Sequence, residues 1–501
     1  MIPEHYPALI VTIPLILSFF VFALGLFNKK LCFPIVIIGT GASSYFSFNI
    51  LYKVMTTGPI HYRMGSWEPP WGIEYVVDHL NALILVCIAV ISFFVAIYSK
   101  TNIAKEIDKD KVPQFYTLFL LQVTGLLGIT ITGDAFNLYV LLEIASFSAY
   151  ALIGMGKRGA EFAAFRYMIF GTIGACAYLL GVGYLYIITG SLNMADLSNL
   201  LPNFYQSDIL IVALALLLVG ISIKMALFPV HTWLPDSYSL APSAVSALMA
   251  PLFTKVGAYA LIRVMYTIFD PSFSVNLYPV TTTLGWIASI GIIFAGVLAL
   301  AQSDLKRMLC YLIVAEIGYI VLGIASANRF GLTGSILHIV NDMFMMVCLF
   351  TVAGAIFSQT GTTDIGQMKG LYKTMPVTLG VFVVGALSVV GIPPLCGFFS
   401  KWYLILGLIQ AKQWIFLFSL LLSSLFNIIL FFRIFQRVYL ENNDAAEHGH
   451  VNKKHAGVTL DKVSLSQLGP MVFFALVIVL LGFYSGFIID NIIQFAVPKS
   501  F

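Results

Sequence analysis

Charge is what this chain has least of. Of its 501 residues only 10% are Asp, Glu, Lys or Arg, while 59% are hydrophobic and the mean hydropathy is +0.94. That balance excludes a water-soluble globular domain, so length gives no count of soluble domains. A cleavable leader is not expected: Met1 to Tyr6 carries no basic start, and no Ala-x-Ala-type site follows the first apolar run. The run is read as a retained span. Cysteine is sparse and scattered, with Cys32, Cys87, Cys176, Cys310, Cys348 and Cys396 each alone in an apolar stretch. With no C-x-x-C pair, iron–sulfur, zinc and disulfide frameworks lack support, and the six read as small polarizable core residues. There is no G-x-G-x-x-G beside a strand, no P-loop and no nucleophile elbow, so neither a catalytic redox or hydrolytic site nor a bound cofactor is expected. Glu447, His448, His450 and His455 crowd one loop, but their spacing fits no standard metal site and a solvated loop is the preferred reading. The net charge of +4 arises mostly from loop lysines and arginines. It reports orientation in a membrane and does not point to nucleic acid.

What the sequence does have is long apolar runs. At roughly 20 residues per span, about fourteen are expected, near 6–27, 31–54, 79–99, 113–132, 135–155, 163–189, 208–228, 243–268, 280–301, 308–327, 331–358, 375–409, 414–437 and 468–491. The twelfth is too long for one straight helix and contains Gly391-Ile392-Pro393-Pro394, which predicts two half-helices. Alternate loops hold Lys29, Lys30, Lys100, Lys105, Lys109, Lys111, Lys157, Arg158, Arg166, Lys306, Arg307, Lys369, Lys373, Arg433, Arg437, Lys453, Lys454 and Lys462. The opposite set holds only Lys53, Arg63, Arg329, Lys412 and Lys499, with Arg263 near that end of its helix. The roughly threefold bias places the first set in the cytoplasm and both termini outside it.

A few charges stay within the spans: Lys224, Lys255, Lys401, Glu143, Glu316 and Asp342, with His338 the one histidine deep in a helix. A buried ammonium costs at least about 2.5–3.5 kcal/mol on insertion scales, which makes each lysine a functional candidate. Between Lys224 and Lys255 lie Pro229, Pro235, Pro242 and Pro251. Lipid cannot hydrogen-bond the backbone groups that proline frees, so such a break must be lined by protein or water.

Spans four to eight and nine to thirteen are two sets of five, and an odd number inverts the second in the membrane. Glu143 and Glu316 each fall in the second helix of their set. A proline break lies near a lysine in each fourth helix, Pro229 with Lys224 and Pro393-Pro394 with Lys401. The expected architecture is an all-α polytopic membrane protein with two inverted five-helix repeats and two broken helices. Its parts are residues 1–112, a first half-channel at 113–268, a second at 280–440, and a cytoplasmic loop with the last helix at 441–501.

Glu143 and Lys224 are natural partners, since carboxylate and ammonium offset each other's desolvation. They act either as a proton switch or as a static staple between helices. His231 follows the break at Pro229 and either feeds protons in, with Asp236 as partner, or is an ordinary loop histidine. His338 and Asp342 share a helix face and form either a proton relay or a structural pair. Lys401 suits a terminal proton donor. No separate cluster of oxygen ligands marks a sodium site.

These residues carry a resemblance. K-M-A-L-F-P-V-H-T-W-L-P-D-S-Y-S-L-A-P-S-A-V-S-A-L-M-A from Lys224, followed by F-T-K-V-G-A-Y-A-L-I-R, resembles the signature of the antiporter-like membrane subunits. That family covers the proton-pumping subunits of complex I, the A and D subunits of Mrp-type sodium/proton antiporters, and relatives in membrane-bound hydrogenases. F-N-L-Y-V-L-L-E-I-A-S-F-S-A-Y around Glu143, D-L-K-R-M-L-C-Y-L-I-V-A-E-I-G-Y around Glu316 and G-I-P-P-L-C-G-F-F-S-K-W-Y around Lys401 agree, and the match covers most of 113–440. The resemblance implies fourteen helices, two inverted half-channels and a charged axis that Glu143, Lys224, Lys255 and Lys401 match. M-G-S-W-E-P-P-W-G-I-E-Y-V-V-D-H-L-N-A-L at 64–83 looks like the Mrp-type D subunit, and the chain is read as lacking the long extension of the largest members. Three positions depart from the pattern. Many relatives have histidine in place of Asp342 and lysine in place of Met346, and Glu316 stands where they often carry an uncharged residue or histidine. The link between half-channels is therefore expected through Glu316, His338 and Asp342.

The resulting expectation is a proton-translocating subunit of a multisubunit complex in a bacterial or archaeal inner membrane, most like the D subunit of Mrp-type antiporters. Its partners are other membrane subunits, lipid, protons and, as a candidate, Na+. The alternative is a proton-pumping subunit of a complex I-like quinone reductase or a membrane-bound hydrogenase.

Overall fold

The computed structural model describes residues 2–277, 279–440, 461 and 463–498. The loop cluster Glu447, His448, His450 and His455 lies outside the described residues. Among those described, twelve helices are long and apolar enough to cross a membrane.

The chain opens with α1 (Tyr6–Phe27), α2 (Cys32–Thr57), α3 (His79–Glu106) and α4 (Val112–Ile131). Next come α5 (Ala135–Gly154), α6 (Ala160–Thr189), the short α7 (Met194–Leu200) and α8 (Asp208–Lys224). After one turn-rich stretch follow α9 (Leu234–Leu240), α10 (Ser243–Arg263), α11 (Val280–Leu300), α12 (Leu305–Ala325) and α13 (Arg329–Thr360). The last long helices are α14 (Pro376–Val390), α15 (Cys396–Gln410), α16 (Trp414–Phe435) and α17 (Leu465–Phe483), and short helical turns follow to Ala496.

Two of the expected spans are interrupted. The segment at 208–228 stops at Lys224 and resumes as α9, and the segment at 375–409 divides into α14 and α15. One departure from an all-helical chain occurs at 55–78, where β1 (Ile60–Arg63) pairs antiparallel with β2 (Glu74–Val77), Ile60 opposite Val77. Asp78 then caps α3 by accepting from the Leu80 and Asn81 N–H groups.

Polar contacts tie one set of helix ends together on a basic side. Lys29 pairs with Asp110, Lys105 donates to Ser358 O at 3.0 Å, and Lys306 donates to Ala241 O at 3.3 Å. On the opposite side Arg263 binds Asp78 at 2.7 Å and Tyr266 donates to Ile324 O at 2.5 Å.

Two pairs of local constructions recur along the chain. Asp134 caps α5 and forms a β-bridge with Asn193, while Asp304 caps α12 and bridges Asp364. α6 and α13 both end at a left-handed glycine, Gly190 at φ 69° and Gly361 at φ 75°. The two breaks also match. Leu227 N–H returns to Ser222 O at 2.9 Å behind left-handed Ala226, and Ile392 N–H returns to Leu387 O at 3.1 Å behind left-handed Gly391. Both are the six-to-one closure of a Schellman turn, and each break contains a cis X–Pro peptide, Phe228–Pro229 and Pro393–Pro394.

Helices α10, α12 and α13 form the centre, and α13 is buried along its whole membrane-length window. α1, α2 and α16 turn large apolar side chains such as Phe19, Tyr52 and Phe432 outward, as a lipid- or subunit-facing surface requires.

Candidate functional site

Four groups of charged and polar side chains run through this centre. In the first, Lys224 ends α8 and aims across at α5. Its Nζ donates to Glu143 Oε1 at 3.1 Å and to Ser146 Oγ at 2.8 Å. Glu143 and Ser146 are three apart and so share a helix face. The lysine is buried, while the carboxylate is 15% exposed at the flank of the protein. On its other side Lys224 borders an apolar gap of about 10 Å³, shared with Phe253, Val256 and Gly257 of α10. That is about the smallest space that holds one water.

The second group is centred on Lys255. Its Nζ lies 2.7 Å from Asp342 Oδ2, both side chains fully buried, and donates to Ala250 O at 3.2 Å. The ion pair therefore joins α10 to α13. The other oxygen, Oδ1, has no hydrogen-bond partner among the described residues, which leaves it open to accept a proton.

The third group corrects the expected pairing of His338 with Asp342. Although one turn apart on α13, they serve different helices: His338 Nε2 meets Glu316 Oε2 of α12 at 2.7 Å, and Nδ1 meets Ser400 Oγ of α15 at 2.9 Å. Ser400 Oγ also lies 3.2 Å from Gly397 O. The 2.7 Å contact places one proton between Nε2 of His338 and the Glu316 carboxyl.

In the fourth group Lys401 Nζ donates to Val389 O at 2.7 Å and lies 5.0 Å above the Tyr319 ring. Tyr319 donates to Ser423 Oγ at 2.6 Å. The two lysines at the breaks thus come from opposite halves: Lys224 ends the helix before its break, whereas Lys401 follows its break. Counting from the matched turns, Val389 stands where Lys224 does, so the Lys401 ammonium reaches back to the equivalent place. Counting from the capping aspartates, Glu316 stands opposite Ser146 and not opposite Glu143. The second half therefore puts its carboxylate one turn deeper.

His231 stacks on Phe228, with centroids 5.6 Å apart, and its buried Nδ1 has no hydrogen-bond partner. Its expected partner Asp236 is taken instead by Arg166 Nη1 at 3.3 Å and Arg307 Nη2 at 3.1 Å. The guanidinium groups outcompete the ring because they supply charge and a planar fork of donors.

Lys306, read as a loop residue from its place before the tenth run, is fully buried as the second residue of α12 and donates to Ser243 Oγ at 3.2 Å. Ser146, Ser400 and Tyr319 are further members of the site that hydropathy did not single out. Their only signal is position, three residues after Glu143, beside Lys401 and three residues after Glu316.

Comparison with known proteins places this geometry. Residues 132–427 match the family described as NADH:quinone oxidoreductase/Mrp antiporter, TM. The chain is 42% identical to NADH-quinone oxidoreductase subunit N of Desulforudis audaxviator, over 99% of both chains. It is 32% identical to the D subunit of the Na(+)/H(+) antiporter of Bacillus subtilis, over 85% of this chain and 86% of that one. A chain of the membrane-bound sulfane sulfur reductase, an archaeal respiratory membrane complex, superposes with a TM-score of 0.88 at 29% identity, covering 97% of this chain and 96% of that one.

Proposed function

We propose a function from one premise: the chain belongs to the NADH:quinone oxidoreductase/Mrp antiporter family of membrane proteins. It is an antiporter-like membrane subunit whose partners are other membrane subunits of one complex. Beyond that, we read it as the carrier of a proton path along Glu143, Lys224, Lys255, Asp342, Glu316, His338 and Lys401, with His231 at the entry. The observation that carries this reading is the row of charges on α5, α8, α10, α12, α13 and α15, all but Glu143 buried, each with a titratable or polar partner within about 3 Å.

A proton arriving on Glu143 removes the negative charge that holds Lys224. The freed ammonium turns toward α10, where it repels the charge on Lys255. Lys255 then passes its proton to Asp342, 2.7 Å away. From there the proton passes to the Glu316–His338 pair, and on to Lys401 once that lysine has released its own proton and stands as the neutral amine. The matched caps and breaks support residues 113–268 and 280–440 as inverted half-channels, with 1–112 and 441–501 flanking them. The lysine-rich loops support a cytoplasmic placement of the basic side, with both termini opposite it in a cell inner membrane.

The test is ion flux through the whole reconstituted complex. Lys224→Ala and Glu143→Gln should each abolish proton movement; normal flux in both variants overturns the path. A second reading couples the path to redox chemistry on partner chains, and the full-length likeness to subunit N favours it. Purifying the tagged chain with its partners decides: quinone-reducing or hydrogenase-like subunits support the redox reading, small antiporter subunits the other.

A further inference from the structure

Two clefts meet at the first break. One, of about 410 Å³, opens near the basic side and is lined by Arg166, Arg307, Asp236 and His231 together with Phe294 and Leu298 of α11. The other, of about 390 Å³, is apolar and lies between Ala215 and Leu218 of α8 and Leu284 and Ile287 of α11. Phe228 and Pro229 line both.

Their chemistry is that of a divided ligand. At the polar end one carboxylate, Asp236, stands between two guanidinium groups, which leaves a net positive charge. Each arginine gives Asp236 a single close contact, out of five available donors. The arginine side chains are 39% and 44% exposed, so those donors are within reach of a ligand. Basic pockets between membrane helices are the setting in which anionic lipid headgroups are bound. Along α11, from Leu298 to Ile287, the rise is about 16 Å at ~1.5 Å per residue. That matches one leaflet, about half of a ~30 Å hydrocarbon core.

We propose that this seam binds one anionic phospholipid from the leaflet on the basic side. Its phosphate sits on Arg166 and Arg307, and one acyl chain passes over Phe228 and Pro229 into the apolar cleft. The lipid then packs directly against the break that follows Lys224. It fills a lateral opening where freed backbone would otherwise face the bilayer.

The test counts lipids on the intact purified complex by native mass spectrometry, after exchange into nanodiscs of phosphatidylglycerol or phosphatidylcholine. Wild type should retain one phosphatidylglycerol through detergent washing and no phosphatidylcholine. Arg166→Gln with Arg307→Gln should weaken retention by roughly fivefold for each charge removed. Ala215→Trp, which blocks the apolar cleft and leaves the arginines alone, should abolish it. Equal retention in wild type and both variants overturns the proposal. So does displacement of the lipid by millimolar inorganic phosphate alone, which would mark a phosphate site, or a partner-subunit helix occupying the seam in a structure of the complex.

Discussion

Removing the charges of Lys255 and Asp342, singly and together, separates a proton path from a helix staple. At 2.7 Å two unit charges attract by about 6 kcal/mol at an effective dielectric of ~20. Withdrawing each from water costs several kcal/mol, so the intact pair sums to near zero. A single substitution leaves the other charge buried and alone. Lys255→Met and Asp342→Leu should therefore each cost about 3–5 kcal/mol of stability, read as a lower midpoint of thermal unfolding in the assembled complex. The double substitution should return to within about 1 kcal/mol of wild type, because no uncompensated charge remains. Flux behaves differently. With neither group present, nothing hands a proton from α10 to α13, so the double variant should be stable and silent. A staple predicts that flux returns with stability. A double variant that carries protons at the wild-type rate refutes the path through this pair, and single variants as stable as wild type refute its burial.

Two further outcomes follow from local geometry. Gly391 is left-handed at φ 94°, and a Cβ there would lie 3.3 Å from Lys401 Cδ. Gly391→Ala should cost about 1–2 kcal/mol from backbone conformation alone and should lower flux by moving Lys401, measured by thermal unfolding and proton flux together; wild-type values in both would exclude the close packing of the break. At the rim of α3, burial pushes the Asp78 carboxyl up, but the Arg263 guanidinium and the N–H groups of Asn81 and Leu80 outweigh it and hold the group below the usual carboxylate range. A lowered folded value gives stability that is present above the unfolded value of about 3.9 and lost as pH falls through the folded one. Asp78→Asn should lower stability at pH 7 and flatten the loss below about pH 4; parallel stability curves for the two proteins would rule this out.

The spans, the breaks and the buried charges were legible because each is a one-body property. A run of apolar residues, a proline, or a lysine far from any loop carries its cost wherever its neighbours stand. Lys306 escaped because its depth depends on another segment: the turn from α9 to α10 covers it with Ala241 O and Ser243 Oγ. No local pattern in D-L-K-R announces that cover.

Partner choice was the other illegible part, and it decides the order of the path. One turn of α13 separates His338 from Asp342, which made them look like a pair. Three helices pack against α13 at that depth, however, and each offers a better partner than a neighbour on the same face. α10 supplies an ammonium at 2.7 Å, α12 a carboxylate at 2.7 Å and α15 a hydroxyl at 2.9 Å. An intrahelical pair would have left those three groups buried without compensation, a larger penalty than the few tenths of a kcal/mol an i,i+4 pair contributes. In the proposed path the link between the two halves is therefore made between helices, from Lys255 on α10 to Asp342 on α13 and from His338 to Glu316 on α12. On that path Asp342 and Glu316 are the two carboxylates of the crossing, with Lys255 on one side of it and Lys401 on the other.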